Sequence, residues 1–177
     1  MNVKWFVLGI VATLIAISAA TFIYLKLGFV SARADVKPGV MDSWLGTAMD
    51  ASTNRHAPKM MNPVPDTEAT LVSAAQVYAS RCGVCHGTPS EHDSKLGQAF
   101  YPPAPQFFGD DPPDMMEHAN FYIIKHGVRM TAMPAWGDML SDQQIWQTVG
   151  LLKRIDNKSL PPAVEQELNK PEGGAAR

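Results

Sequence analysis

Cys82 and Cys85 are the only cysteines in the chain, and His86 directly follows the second of them, in the stretch RCGVCHG. Cys-x-x-Cys-His is the spacing at which a c-type haem is attached. Chemistry sets that spacing. Two thiols three positions apart at the end of a helix can each add to one vinyl group on the same porphyrin edge, while the next side chain reaches the iron. Two other chemistries use a Cys-x-x-Cys pair, a redox dithiol and half of a structural zinc site. Zinc would have to recruit distant histidines such as His92 and His118, because no further cysteine exists. A dithiol enzyme would want a strand, helix, strand pattern around the motif, and the sequence shows none.

An iron held by His86 needs a sixth ligand or an open position. Thioether sulfur is a soft, neutral donor that raises a haem potential, which makes a methionine on a later loop the natural partner. The chain has ten methionines. Most read as gap-filling side chains, Met115, Met116 and Met139 among them. Met133 is the expected ligand because Pro134 stiffens the loop beside it and brings no competing N–H; Met130 is its nearest rival. His126, at a helix end, reads as a packing or capping residue, and His56 as a solvated or domain-packing one.

These residues need elements to position them. Thr67 can cap a helix whose apolar positions Leu71, Ala74, Ala75, Val77 and Tyr78 recur at helical steps up to Cys82. The stretch from Gly87 to Pro113 is rich in Gly and Pro, without clear period. A loop that long is usually functional or wrapped on something. A flat apolar cofactor would give Leu96, Phe100, Tyr101, Pro103 and Phe107 a surface to pack on. Asp110 and Asp111 ahead of Pro112 and Pro113 signal a helix from about Asp114 to His126, stopped by Gly127, with Phe121 and Ile124 inward. Ser141 and Gln144 have capping-box spacing for a last helix carrying Ile145, Trp146, Val149, Leu151 and Leu152. A short polar helix over Val164 to Leu168 and a frayed end follow.

At the other end, WFVLGIVATLIAISAATFIYL runs from Trp5 to Leu25 without a charge. As a helix it would be about 31 Å long, against roughly 30 Å of bilayer hydrocarbon. Trp5 and Tyr24 fall where the interfaces would be. A cleaved signal peptide is the alternative, with Ala32-Arg33-Ala34 as a cleavage site after Ala34, but signal hydrophobic regions run only about 7 to 15 residues. An uncleaved anchor is the preferred reading. Counting Lys4 before the helix against Lys26, Arg33 and Lys37 after it would place the carboxyl side in the cytoplasm. The thiols argue the other way, because haem is attached to such motifs on the outer face of a bacterial inner membrane. Between anchor and haem segment, residues 34–66 read as a short amphipathic helix around Trp44, Leu45, Ala48 and Met49, then a tether stiffened by Pro58, Pro63 and Pro65. The formal net charge of −2, without a basic stripe, speaks against nucleic acid as a partner.

RCGVCHG at a helix end, a proline-rich middle, then TAMPAWG and a helix with Ile145 and Trp146 together resemble a membrane-anchored monohaem class I cytochrome c. The resemblance covers about residues 67–157. It implies an all-α fold, a few helices wrapped around one covalent haem c, behind an N-terminal transmembrane helix. The expected organisation is an anchor over 1–30, a bridge over 31–66, the haem domain over 67–157 and a tail over 158–177. Cys82 and Cys85 would carry the thioether bonds, with His86 and Met133 as axial ligands. A backbone carbonyl of the proline-rich loop, from Pro102, Pro103 or Pro105, would accept the His86 Nδ1–H. Tyr101, Arg129 and Trp136 are candidates to bond the haem propionates. No lysine-rich ring surrounds the motif, so the docking electrostatics of the soluble mitochondrial carrier are not implied.

With both axial positions filled, one-electron exchange remains, and the expectation is an electron-transfer protein, not an enzyme in its own right. It would sit in the bacterial inner membrane as a single-pass protein, haem domain in the periplasm, with redox partner proteins of a respiratory or dehydrogenase complex. A freely shuttling carrier is the alternative, and a haem peroxidase or dithiol enzyme a weaker one. Hydrophobic Trp44, Leu45, Met60 and Met61 favour the fixed subunit, because a free spacer would be polar.

Overall fold

A computed structural model describes residues 2–37, 39–109, 112–113 and 115–170 of the chain. All regular structure among them is helical. The chain forms two compact units, one ending at Val36 and the other starting at Lys37.

The first unit is built on α1, Val3–Lys26. Its 24 residues carry mean hydropathy 2.5 over the most apolar window, and none is buried. At 1.5 Å per residue it is about 36 Å long, enough to span bilayer hydrocarbon. Two of its polar side chains are satisfied within the helix: the Thr13 and Thr21 hydroxyls donate to the carbonyls of Gly9 and Ile17, 2.9 Å each. A hydroxyl bonded to its own helix backbone is less costly in apolar surroundings.

The second unit is built around α3, Glu68–Arg81, and α7, Asp142–Asp156. Thr67 accepts from the Thr70 amide at 3.3 Å, and Ser141 from the Gln144 amide at 3.3 Å, each within a reciprocal capping box. Both helix starts lie where the capping residues of the sequence put them. Leu71, Ala74, Ala75 and Tyr78 of α3 and Ile145, Val149 and Leu152 of α7 share one core. The fully buried Ala74 and Ala75 let α7 and its neighbours approach the α3 backbone closely. α6, Glu117–His126, packs on α7, with the Phe121 and Trp146 rings stacked at 4.2 Å. Two one-turn helices, α4 (Gly83–His86) and α5 (Lys95–Gln98), carry the chain past the cysteines.

Four expectations change. α6 begins at Glu117, not near Asp114, and Asp110, Asp111 and Asp114 lie outside the described residues. The tail carries α8, Pro162–Leu168, which packs on α3 and buries Val164 and Leu168 to 0 % and 1 % exposure. Two apolar side chains four apart give a one-sided helix that the surrounding Glu165, Gln166 and Glu167 had disguised as polar. Met116 and Met139 are exposed rather than core, at the ends of connecting loops. The bridge, finally, is not free.

α2, Val40–His56, fills half of that bridge, and its half-buried Leu45, Met49 and Thr53 lead to buried Ala57. This inward stripe, four residues per step, sets α2 against α6. Trp44, grouped by spacing with Leu45 and Met49, faces out at 71 % exposure. Residues 58–66 are pinned to the core: Asn62 Nδ2 donates to the Trp146 carbonyl at 2.9 Å, Asp66 pairs with Arg154 at 2.8 Å, and Val64 packs on the core.

Candidate functional site

α3 ends where the chemistry begins. Cys82 closes α3 and opens α4, its amide bonded to the Tyr78 carbonyl at 2.8 Å and its own carbonyl accepting from the Cys85 and His86 amides at 3.0 and 2.9 Å. This turn puts both sulfurs and the imidazole on the wall of one cavity. Neither cysteine is in a disulfide. Burial, and then the neighbouring Cys85, push the Cys82 thiol up to about 12, so it stays protonated at neutral pH.

Several side chains to which the sequence assigned no such role hold this turn. Gln106, 2 % exposed, donates from Nε2 to the Cys85 carbonyl at 3.0 Å and to the Ala104 carbonyl at 2.7 Å, and its Oε1 accepts from the Ser94 amide at 2.7 Å. The Ser94 hydroxyl donates to the Val84 carbonyl. Tyr78, fully buried, donates its hydroxyl to the Gly87 carbonyl at 3.1 Å, and burial raises its pKa, keeping it a donor. Gly97 lies so close that a Cβ there would stand 1.9 Å from the Cys85 carbonyl oxygen. A glutamine inside a loop gave no periodic signal to mark it. Only the fold shows that three backbone groups depend on it.

His86 Nδ1 lies 2.8 Å from the Pro105 carbonyl, to which it donates. Of the three prolines left open by the sequence, Pro105 makes the bond. An imidazole with Nδ1–H engaged keeps Nε2 unprotonated and available as a ligand. Burial lowers the His86 pKa, outweighing the opposing effect of the Pro105 carbonyl, and so favours the neutral ring. Phe107 stacks on the imidazole at 4.4 Å and 3°, and its amide donates to the His86 carbonyl at 3.1 Å. The ring is thus held in plane and direction by one loop.

The methionine loop is braced from two sides. The Thr131 hydroxyl donates to the Val128 carbonyl at 2.8 Å and accepts from the Met133 amide at 3.0 Å. The Trp136 and Gly137 amides bond to the Ile124 and Lys125 carbonyls at the end of α6, at 3.1 and 3.0 Å. Gly127 makes the joint possible: its φ is +67°, and a Cβ there would meet the Pro134 carbonyl carbon at 2.6 Å. Met133 lies on the cavity wall, half-buried against the core. Met130 does not; its backbone turns through φ +61° and its side chain is 70 % exposed. The loop's turn thus sends the two methionines to different sides.

The cavity measures about 410 Å³, within the roughly 300–1,000 Å³ usual for cofactor pockets. Cys82, Cys85, His86, Met133 and Trp136 meet there, among apolar Phe100, Pro103, Phe107, Ile123 and Leu152. Tyr101 and Arg129 do not line it. The half-buried Tyr101 phenol stands near Asp42 of α2, and burial and that carboxylate raise its pKa; Arg129 is exposed on the loop after α6. Leu96, also expected against the cofactor, is 48 % exposed on α5. Arg81 and Asp50 supply charge at the wall instead. His92, His118 and His126 stay off it, with His126 tilted against Tyr122 at 4.7 Å. His56, exposed, keeps its Nδ1 within 2.8 Å of the Ser52 carbonyl one turn earlier in α2.

Among the described residues no group of three or more His, Cys, Asp and Glu side chains could hold a metal ion. The donor set facing the cavity is two thiols, one neutral imidazole and one thioether, in flat apolar surroundings. That set fits a covalently held haem, and fits neither a thiolate zinc site nor a solvent-facing dithiol. Compared with known proteins, residues 69–152 match the family model described as cytochrome c oxidase, cbb3-type, subunit III. The matched stretch is just under half of the chain and runs from the first turn of α3 nearly to the end of α7. No curated protein and no solved structure matched the chain.

Proposed function

Because residues 69–152 are a class I c-type cytochrome domain that carries a covalent c-type haem, we propose that this protein passes single electrons as a membrane-anchored redox subunit of a respiratory or dehydrogenase complex. Its haem domain lies on the periplasmic side of a bacterial inner membrane. Cys82 and Cys85 would hold the haem through thioether bonds, and His86 and Met133 would bind its iron.

The observation that carries the reading is the His86 Nδ1 bond to Pro105 at 2.8 Å, which leaves Nε2 to face a cavity whose wall also carries the Met133 thioether. The bound haem supplies a one-electron ferric–ferrous couple. The chain supplies the rest. His86, locked by Phe107 and Pro105, and Met133, held by Thr131, keep their positions as charge changes, so little reorganisation accompanies each electron. Apolar Phe100, Phe107 and Leu152 disfavour the more highly charged oxidised state and so raise the potential, as does a thioether donor.

Two features support a fixed subunit. The bridge is docked through Asn62, Val64 and Asp66 onto α7 instead of spacing the domain freely. α1 is long and apolar enough to cross a bilayer. Tagged full-length protein purified from detergent-solubilised membranes tests the reading. It should elute in fixed ratio with integral-membrane oxidoreductase subunits. Elution alone, with the haem intact and reducible, would make it a shuttle.

A further inference from the structure

α2 has two sides of different character. Leu45, Met49, Thr53 and Ala57 face the domain. Val40, Met41, Trp44, Ala48 and Ala51, all exposed, fall within a sector of about 100° on the other side. Three of them are large and stand well clear of the protein: Val40 at 91 %, Met41 at 66 % and Trp44 at 71 % exposure. No carboxylate shares that sector. Asp42 is turned away to cap the Gly39 amide at 2.7 Å and to approach Tyr101, and Asp50 lines the haem cavity. Arg55 falls within the sector at the end of the helix, and Lys37 precedes its start.

The chain leading into α2 comes from the apolar helix. Beyond α1 the exposed apolar side chains continue through Leu27, Phe29 and Val30, which leaves residues 31–39 as connection. Nine residues span at most about 32 Å when fully extended. The chain connection thus caps the distance from Val30 to the start of α2 at that length.

We propose that this outer face of α2 lies in the headgroup region of the bilayer that α1 crosses. The inference rests on the reading of α1 as an anchor. Val40, Met41 and Trp44 would enter the interface, where tryptophan is favoured, and Lys37 and Arg55 would meet anionic headgroups. The haem domain would then be held at the membrane surface, with α2 between the lipid and the cavity edge that Asp50 occupies. A partner receiving its electrons would be embedded in the same membrane.

Nitroxide labels test this in full-length holoprotein reconstituted alone into phosphatidylethanolamine and phosphatidylglycerol vesicles. Cys82 and Cys85 are consumed by the haem, so Val40→Cys, Trp44→Cys and Ala48→Cys each take one label, as do Ser43→Cys on the polar flank and Ile15→Cys in α1. Spin relaxation by oxygen should exceed relaxation by a polar nickel chelate severalfold at positions 40, 44 and 48, with the order reversed at 43. An α1 label at lipid depth together with water-exposed labels throughout α2 would overturn the proposal and leave the anchor standing. A water-exposed label at position 15 would overturn both.

Discussion

Met133 and Gln106 make opposite kinds of contribution at the residue scale. Met133 is expected to set the electronic state. Met133→Ala should remove the weak far-red charge-transfer band of thioether-ligated ferric haem and lower the potential, because water or a nitrogen ligand stabilises ferric iron better. Met130→Ala, on a side chain 70 % exposed, should leave the band in place. Both are read from ferric absorption spectra and a redox titration. Gln106 contributes order instead. Gln106→Leu leaves the Cys85 and Ala104 carbonyls and the Ser94 amide without their partner, and burying unpaired groups costs about 1–3 kcal/mol each before relaxation. Denaturant unfolding of the holoprotein should show a loss of about 3 kcal/mol, with covalent haem still present on a denaturing gel.

Among elements, the joint between α6 and the methionine loop is the most constrained. Gly127→Ala adds a Cβ 2.6 Å from the Pro134 backbone at a φ of +67°, and the loop has to move. The expected result is the spectrum of Met133→Ala in a protein that keeps both thioether bonds; retention of the far-red band would show that the joint yields elsewhere. α8 is tested by stability alone. Leu168 is 1 % exposed against α3, and large-to-small core substitutions cost about 2–5 kcal/mol. Leu168→Ala should therefore destabilise the domain by roughly 3 kcal/mol without changing the haem spectrum. A change under about 0.5 kcal/mol, the usual range for surface positions, would mean that the helix is a dispensable tail.

For the whole molecule the question is what α1 does after synthesis. Its uniformly exposed apolar surface has no protein face to cover it within its own unit, which is the condition for a bilayer anchor and also for a segment that is removed. Intact-mass measurement of membrane-purified protein should find the chain with α1 attached and one haem added. A mature amino terminus at Asp35 would instead describe a periplasmic protein released from the membrane. The salt-insensitive part of membrane attachment should disappear with α1, because surface charge attraction is screened while apolar insertion is not.

What could be read directly from the chain was what depends on neighbours in sequence. Cys82, Cys85 and His86 declare their chemistry by spacing. Thr67 and Ser141 declare helix starts because a cap bonds three residues ahead, and Trp5 to Leu25 declare an apolar helix because hydropathy needs no partner. Distant contacts decided the remainder. Pro105 bonds His86 where Pro102 and Pro103 do not, Met133 reaches the cavity while Met130 turns outward at a left-handed residue, and Tyr101 stands near Asp42 and off the cavity lining. Gln106 and the packing of α8 were hidden for the same reason. A side chain that bonds three backbone groups, or two apolar residues that complete another helix's core, has no local pattern, because the free energy that fixes it comes from groups brought together only when the chain has folded.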